Sequence, residues 1–231
     1  MSHIIWKDID SRTIKGLIIS ELPPITKPKM RVQETKIDGV DGSIIEELGY
    51  ESYDKSMKIG LSYNYDIDEI VKYFSGESNI VFSNEPDKYY KVRILDQIDY
   101  ERLLRFKEAI VKFRVQPFKY LYQEHKLVFD NLEDSIIVVN KGLENSKPII
   151  TITGTGTIEF RLEDMSIFKY TFPEGEDTVI IDSEKQDAYL GSELRNRNMI
   201  GEFPVFKSGK NKISFDGTIT KLEVEPKSRW I

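Results

Sequence analysis

Apolar and polar residues alternate singly along most of this chain of 231 residues. A two-residue period puts successive side chains on opposite faces of a strand, so the pattern predicts a mainly β protein. Met57, Ile59 and Leu61 form one alternating face. Ala109, Val111, Phe113 and Val115 form another, interleaved with Ile110, Lys112, Arg114 and Gln116, and Pro117 is expected to end that strand. Between these runs "DIDEIVKYFSG" changes period. Ile67, Ile70, Val71 and Phe74 fall at i, i+3, i+4 and i+7, the spacing of a helix face. Asp66 or Asp68 would cap its start and Gly76 its end.

Punctuation divides the rest. Ile14–Ile19 reads as a short strand, and the three prolines between Pro23 and Pro28 then force an extended arm. Asp38-Gly39 and Asp41-Gly42 signal a hairpin, because glycine accepts the positive φ such turns require. "NIVFSNEPDKYYKVRI" predicts two strands about a turn at Asn84–Asp87. The texture changes around residues 118–135. Beyond it, "IIVVN", "KPIITITG", "GTIEFRL", "SIFKYTF", "DTVIID", "AYLG", "KISFDG" and "KLEVEP" recur every 8 to 12 residues or so, the spacing of a sandwich or barrel. Ile150 and Ile152 should face one side, with Ile149, Thr151 and Thr153 on the other. "GEFPVFKSGKNKISFDG", Gly201–Gly217, reads as a hairpin turning at Ser208–Asn211, with Phe203, Val205, Ile213 and Phe215 on its strands.

Charge and composition narrow the function. The net charge of −6 argues against nucleic acid as the principal ligand. The chain has no cysteine, which removes thiolate chemistry, disulfides and sulfur metal sites. His3 and His125 are the only imidazoles, too few for a multi-histidine zinc site within one chain. Met1–Ile9 lacks the basic start and long apolar core of a signal peptide, and no apolar run approaches the ~20 residues of a membrane span.

The motifs that could carry chemistry read better as structure. "GTGT", Gly154–Thr157, lacks the Lys-Ser/Thr pair and helix of a phosphate cradle and reads as a β-turn. "DGVDG", Asp38–Gly42, lacks the later ligands of a calcium loop. Glu46 and Glu47 are adjacent, so a strand would send them to opposite faces, where they cannot flank a glycosidic bond. No Gly-x-Ser-x-Gly elbow occurs, and His125, near the change of texture, reads as a surface or interdomain residue and not as a general base. Tyr63, Tyr65, Tyr89, Tyr90, Tyr120 and Tyr122 could pack sheets, line subunit contacts or stack sugars. No residue is singled out as catalytic, cofactor-binding or metal-binding.

The ordered layout resembles the distal tail protein (Dit) family of long-tailed, non-contractile bacteriophages and prophages. The resemblance rests on "IKGLIISELPPITKP", "IDGVDGSIIEELGYESYDKSMKIGLS", "VFSNEPDKYYKVRI", "KEAIVKFRVQPFKY", "NKGLENSKPIITITGTG", "VIIDSEKQDAY" and the stretch Gly201–Gly217, in that order. The family's front turn often carries an Arg before Asp-Gly, where this chain has Val40. The resemblance implies a ring-forming, tube-like domain over 1–130, with one helix and a hairpin, and a galectin-like β-sandwich over 131–231. It implies a non-enzymatic homohexameric hub at the virion tail tip, made in the bacterial host cytoplasm. Its partners would be further copies of itself, the tail tube protein, the tail-associated tip protein and, in some members, receptor-binding proteins. DNA would only pass through the lumen, and no membrane or cofactor is implied. The alternative is a carbohydrate-binding module for attachment to the host cell wall.

Overall fold

A computed structural model of the chain describes residues 2–39, 41–130 and 135–231. The chain divides into two compact units, Met1–Tyr122 and Gln123–Trp230. Val40 and the expected break after residue 130, which adjoins residues 131–134, lie at or outside the limits of the described residues.

The first unit contains β1 (Ile4–Trp6), β2 (Ile9–Asp10), β3 (Leu17–Glu21), β4 (Met30–Thr35), β5 (Ile44–Tyr50), β6 (Tyr53–Leu61), β7 (Glu77–Phe82), β8 (Lys88–Arg93) and β9 (Glu108–Leu121). Seven of these form an antiparallel sheet in the order β2-β1-β7-β8-β9-β6-β3, while β4 and β5 pair only with each other. The alternation does what the sequence predicts. Met57 and Ile59 on β6, and Ala109, Val111, Phe113 and Val115 on β9, all point into the core. Trp6 is fully buried against Phe113, and its indole N–H donates to the Tyr73 carbonyl at 2.7 Å. That carbonyl belongs to the last turn of α1 (Ile67–Tyr73) and also accepts from the Ser75 N–H at 3.0 Å. Asp66 caps the other end, accepting from the N–H groups of Asp68 and Glu69. Of the expected helix face, Ile70 and Phe74 are buried, whereas Val71 is exposed.

Two expectations for this unit need correction. A second helix, α2 (Tyr100–Phe106), precedes β9, capped by Asp99 through the Arg102 N–H at 2.8 Å. It ends at Lys107 in the left-handed conformation, without the glycine that usually marks such a stop. Pro117 does not end β9, which continues to Leu121. The ladder to β8 shifts register between Tyr90 and Val92, and this irregularity lets the strand run past a residue with no N–H to give.

The second unit contains β10 (Leu127–Phe129), β11 (Ser135–Asn140), β12 (Ile149–Leu162), β13 (Met165–Thr171), β14 (Thr178–Asp182), β15 (Asp187–Leu190), β16 (Glu193–Leu194), β17 (Met199–Gly201) and β18 (Gly209–Glu225). Here the corrections concern continuity. "PIITITG" and "GTIEFRL" are one strand, β12, and "KISFDG" and "KLEVEP" are one strand, β18. Gly154–Thr157 is therefore a bend within β12 and not a turn. Up to Thr153, β12 pairs with β14; from Thr157 it pairs with β13. Its partner throughout is β18, with register shifts at Thr153/Gly154 and between Thr155 and Glu159. Gly217 sits opposite the bend at φ +100°, and a Cβ there would come within 2.6 Å of the Thr157 carbonyl oxygen. Bending two paired strands together wraps one sheet around its own core. Ile150 and Ile152 lie in that core with Phe160 and Phe168, whose rings stack at 4.9 Å.

Gly201–Gly217 is not a hairpin. β17 ends at Gly201 and β18 begins at Gly209, and the segment between them bridges Phe206 to Ser146. Phe206, not Val205, fills the core. Asn211 fixes the loop: its amide accepts from the Lys207 N–H at 2.9 Å and donates to the Lys207 and Gly209 carbonyls.

Replacing Gly217 with valine should cost about 1–3 kcal/mol, because the side chain meets both a forbidden φ and a backbone oxygen. Urea unfolding would measure it. An unchanged midpoint would show that the two strands bend without needing glycine there.

Candidate assembly surface

The ribbon β4–β5 is the most exposed regular element of the first unit. Its register pairs Thr35 with Ile44, Glu34 with Ile45, Gln33 with Glu46 and Val32 with Glu47. Cross-strand partners share a face, so Ile44 and Glu46 point one way and Val32, Ile45 and Glu47 the other. Ile44 is 58% exposed and Ile45 62%. A two-stranded hairpin is marginal in water and needs a packed face to persist. This one carries branched aliphatics on both faces and covers neither. Glu46 and Glu47 do point to opposite sides, as their adjacency requires.

The ribbon is rooted through the proline arm. Asn84 donates its amide to the Pro23 carbonyl at 3.0 Å, and the Lys55 ammonium donates to the Pro24 carbonyl at 2.5 Å. The Glu51 N–H closes the other end on the Lys29 carbonyl at 2.8 Å. Lys55 is only 3% exposed and lies against the rings of Tyr53 and Tyr90. Beside it, Lys119 pairs with Glu85 at 2.6 Å, and the Tyr90 hydroxyl also donates to Glu85. Burial pulls the Lys55 ammonium down to about 8, against the opposing pull of Glu85. Burial and then Glu85 push the Tyr53 phenol up to about 12, and burial with the bond to Glu85 raises Tyr90 further. The sequence reading missed this cluster. Its signal was present, since Lys55 stands in phase with Met57, Ile59 and Leu61 on the buried face of β6.

The outward face of the main sheet is charged. Arg114 pairs with Asp54 at 3.0 Å, Lys58 with Glu21 at 2.5 Å, Lys112 with Asp96 at 3.5 Å, and Arg93 with Glu77. A cleft of about 550 Å³ opens over β7, β8 and β9, lined by residues that include Glu77, Lys91, Arg93, Leu95, Arg114 and Gln116. A second, of about 520 Å³, shares Arg114 and Gln116 and reaches Arg31, Tyr50 and Glu51 at the ribbon's root. The tyrosines weighed from sequence scatter. Tyr90 and Tyr120 are buried, Tyr89 stacks on Tyr120 at 5.4 Å, and Tyr63 is fully exposed. His125 is exposed. Among the described residues, no three His, Cys, Asp or Glu side chains group as metal ligands would.

No protein-family model matches the sequence, and no curated protein sequence matches it. Solved structures do. The Dit protein of phage SPP1, a hub of the adsorption apparatus in phages infecting Gram-positive bacteria, superposes with a TM-score of 0.71 at 15% identity, over 97% of this chain and 98% of that one. The chain has the Dit fold. The phage P2 baseplate, in its activated conformation with calcium, matches at a TM-score of 0.52 and 8% identity over 97% of both chains. The same baseplate with strontium gives 0.51 and 8%, over 96% of both. The likeness to Dit spans both units. What the Dit-like chain displays is a rooted, uncovered ribbon beside a charged cleft.

Lys55 gives this root a pH signature. Its folded pKa lies below the 10.5 of an unperturbed lysine, so between pH 8 and 10 the unfolded chain binds more protons there than the folded one. The wild type should therefore gain stability relative to Lys55→Met as pH rises across that window, the tyrosines being common to both proteins. Paired urea titrations at both ends of the window would show it, and a constant difference would refute it. The variant should also be cut faster by trypsin at Lys29, because the Pro24 carbonyl loses its donor.

Proposed function

We propose that the chain is the structural hub of a siphophage or prophage tail tip, a homohexameric ring joining the tail tube to the tail-associated baseplate proteins. The observation that carries this reading is the Dit fold across the full length of the chain, combined with a ribbon that folding alone leaves bare. In this reading the region 1–130 builds the ring and the region 131–231 is a peripheral galectin-like sandwich. DNA passes through the lumen without being bound. The chain acts by fitting its neighbours and makes no covalent bonds.

A ring needs heterologous contacts, in which one patch of a subunit meets a different patch of the next. A ribbon uncovered on both faces suits that requirement, since it can lie between two bodies. β4 has six residues, so the ribbon extends roughly 20 Å from its root, enough to reach a neighbouring subunit.

Six copies of 26.9 kDa give a particle of about 161 kDa. Light scattering should find this mass, and negative-stain images should show six-fold rings, for the protein alone or with its tail-tube and tip partners. A monomer under all of those conditions would overturn the reading.

A further inference from the structure

We infer that β11 is the acceptor strand for an extended, acidic segment of a different polypeptide, which adds to its free edge and widens the sheet of the second unit. Among the described residues β11 pairs on one side only, with β18, from Ser135 opposite Ser214 to Asn140 opposite Gly209. In an antiparallel ladder every other residue turns its N–H and C=O away from the partner. The far side of β11 therefore carries a row of backbone groups that a further strand can take.

Sheet edges are ordinarily blunted by short strands, bulges, prolines or charged side chains. The other strands here that pair on one side only are short: β10 has three residues, β16 two and β17 three. β11 is built differently. It has six residues, its ladder runs without a register shift, and "SIIVVN" holds neither proline nor charge. Ile136, Val138 and Asn140 point inward and are buried, while Ile137 and Val139 on the outer face are 58% and 43% exposed. The strand is also held in place. The Asn140 amide donates to the Glu144 and Phe206 carbonyls at 2.9 and 3.3 Å, and its oxygen accepts from the Gly142 N–H at 2.9 Å. An incoming segment meets an edge that folding has already ordered, so only the segment itself loses freedom.

Charge selects the occupant. Cross-strand partners share a face, which sets Lys210 beside Val139 and Lys212 beside Ile137. Asp164 holds Lys212 at 2.9 Å. Lys141, Lys207 and Lys210 make no ion pair among the described residues. They flank the Asn140 end of the strand, where Asn140 pairs with Gly209 and the Ser208 hydroxyl donates to the Gly142 carbonyl at 2.6 Å. Residues 136–144 and 205–213 together carry four lysines and one carboxylate, Glu144, on a chain whose net charge is −6. The matching segment places aliphatics against Ile137 and Val139 and carboxylates against the Asn140 end. A second copy of this chain does not fit. An antiparallel β11–β11 pair needs a two-fold axis between the copies, and neighbours in a cyclic ring have none. That exclusion rests on the ring proposed above, whereas the free edge does not.

The test uses the full chain and a fluorescein-labelled peptide of alternating valine and threonine with three glutamates at one end, made in both orders. Fluorescence anisotropy should detect binding of one order, and lysines in place of the glutamates should weaken it roughly ten-fold or more. N-methylation of alternate peptide amides removes the edge hydrogen bonds and should abolish binding. Ile137→Glu with Val139→Glu alters only exposed side chains whose ladder partners are lysines, and Lys207→Glu with Lys210→Glu alters only exposed cations. Each double variant should weaken binding about ten-fold. Amide exchange in the wild type should slow along β11 when the peptide is present. Binding with this acid preference, lost on N-methylation, supports the inference. No binding at about one millimolar peptide, or binding indifferent to charge and to the Ile137/Val139 variant, overturns it. Two-fold dimers that dissociate in that variant also overturn it, by making a second copy the occupant. A chain that binds the peptide but never forms rings keeps this inference and removes the hub reading.

Discussion

A two-stranded ribbon cannot bury both of its faces by folding on itself, and the organisation of the first unit follows from that limit. The ribbon's backbone is satisfied along β4 and β5, but its aliphatics face water on either side. A projecting element of this kind is useful only if its root is rigid. The root here is the proline arm, whose prolines have no N–H to give a strand and whose carbonyls are met by Asn84 and Lys55. Lys55 loses its water to do this, and burial charges a cost against its ammonium. That cost falls where a carbonyl, two aromatic faces and the Glu85–Lys119 pair surround the charge. Removing the lysine would leave the arm held mainly at its ends.

The second unit answers a different constraint. β12 and β18, of fourteen and seventeen residues, are too long to stay flat under the right-handed twist of a sheet. They bend together where Gly154 and Gly217 allow the two backbones to close on each other. The bend divides each strand between two sets of neighbours, so one sheet can enclose Ile150, Ile152, Phe160 and Phe168.

The sequence made the strands legible wherever one face was buried. β6 and β9 alternate cleanly because their outward sides are charged and their inward sides aliphatic, and Asp66 announced α1 because a carboxylate cap is a local device. Legibility failed where the deciding interaction was not local. α2 stops at a lysine in the left-handed conformation, so no glycine marked its end. The glycines of β12 and β18 looked like turn residues, because sequence alone cannot distinguish a turn from two strands bending in concert. Gly201–Gly217 alternated like a hairpin, yet Phe206 was claimed by a bridge to Ser146, sixty residues earlier. The ribbon was foreseen from its Asp-Gly signals, but its nakedness was not, since exposure depends on what the rest of the chain declines to cover. Lys55 was readable in principle: a lysine in phase with a buried stripe needs an acceptor, and the nearby prolines offer carbonyls that no strand takes.

The distribution of perturbed groups bears on what kind of surface this is. Sites of catalysis gather shifted side chains in a cleft, where substrate can reach them. Here burial moves Lys55, Tyr53, Tyr73 and Tyr90 most, and all four lie in or against the core of the first unit, while Tyr170 is raised by burial in the core of the second. Three of them have a structural partner: Lys55 holds the arm, the Tyr90 hydroxyl donates to Glu85, and the Tyr73 hydroxyl donates to the Ile9 carbonyl. The clefts hold the opposite population, cations and carboxylates in open water, paired across strands. Solvent screens such pairs. They are good docking contacts, because each can trade its partner for one on another molecule at little cost. The first unit thus keeps its desolvated ammonium at the root of the ribbon and its exposed ion pairs along an open cleft.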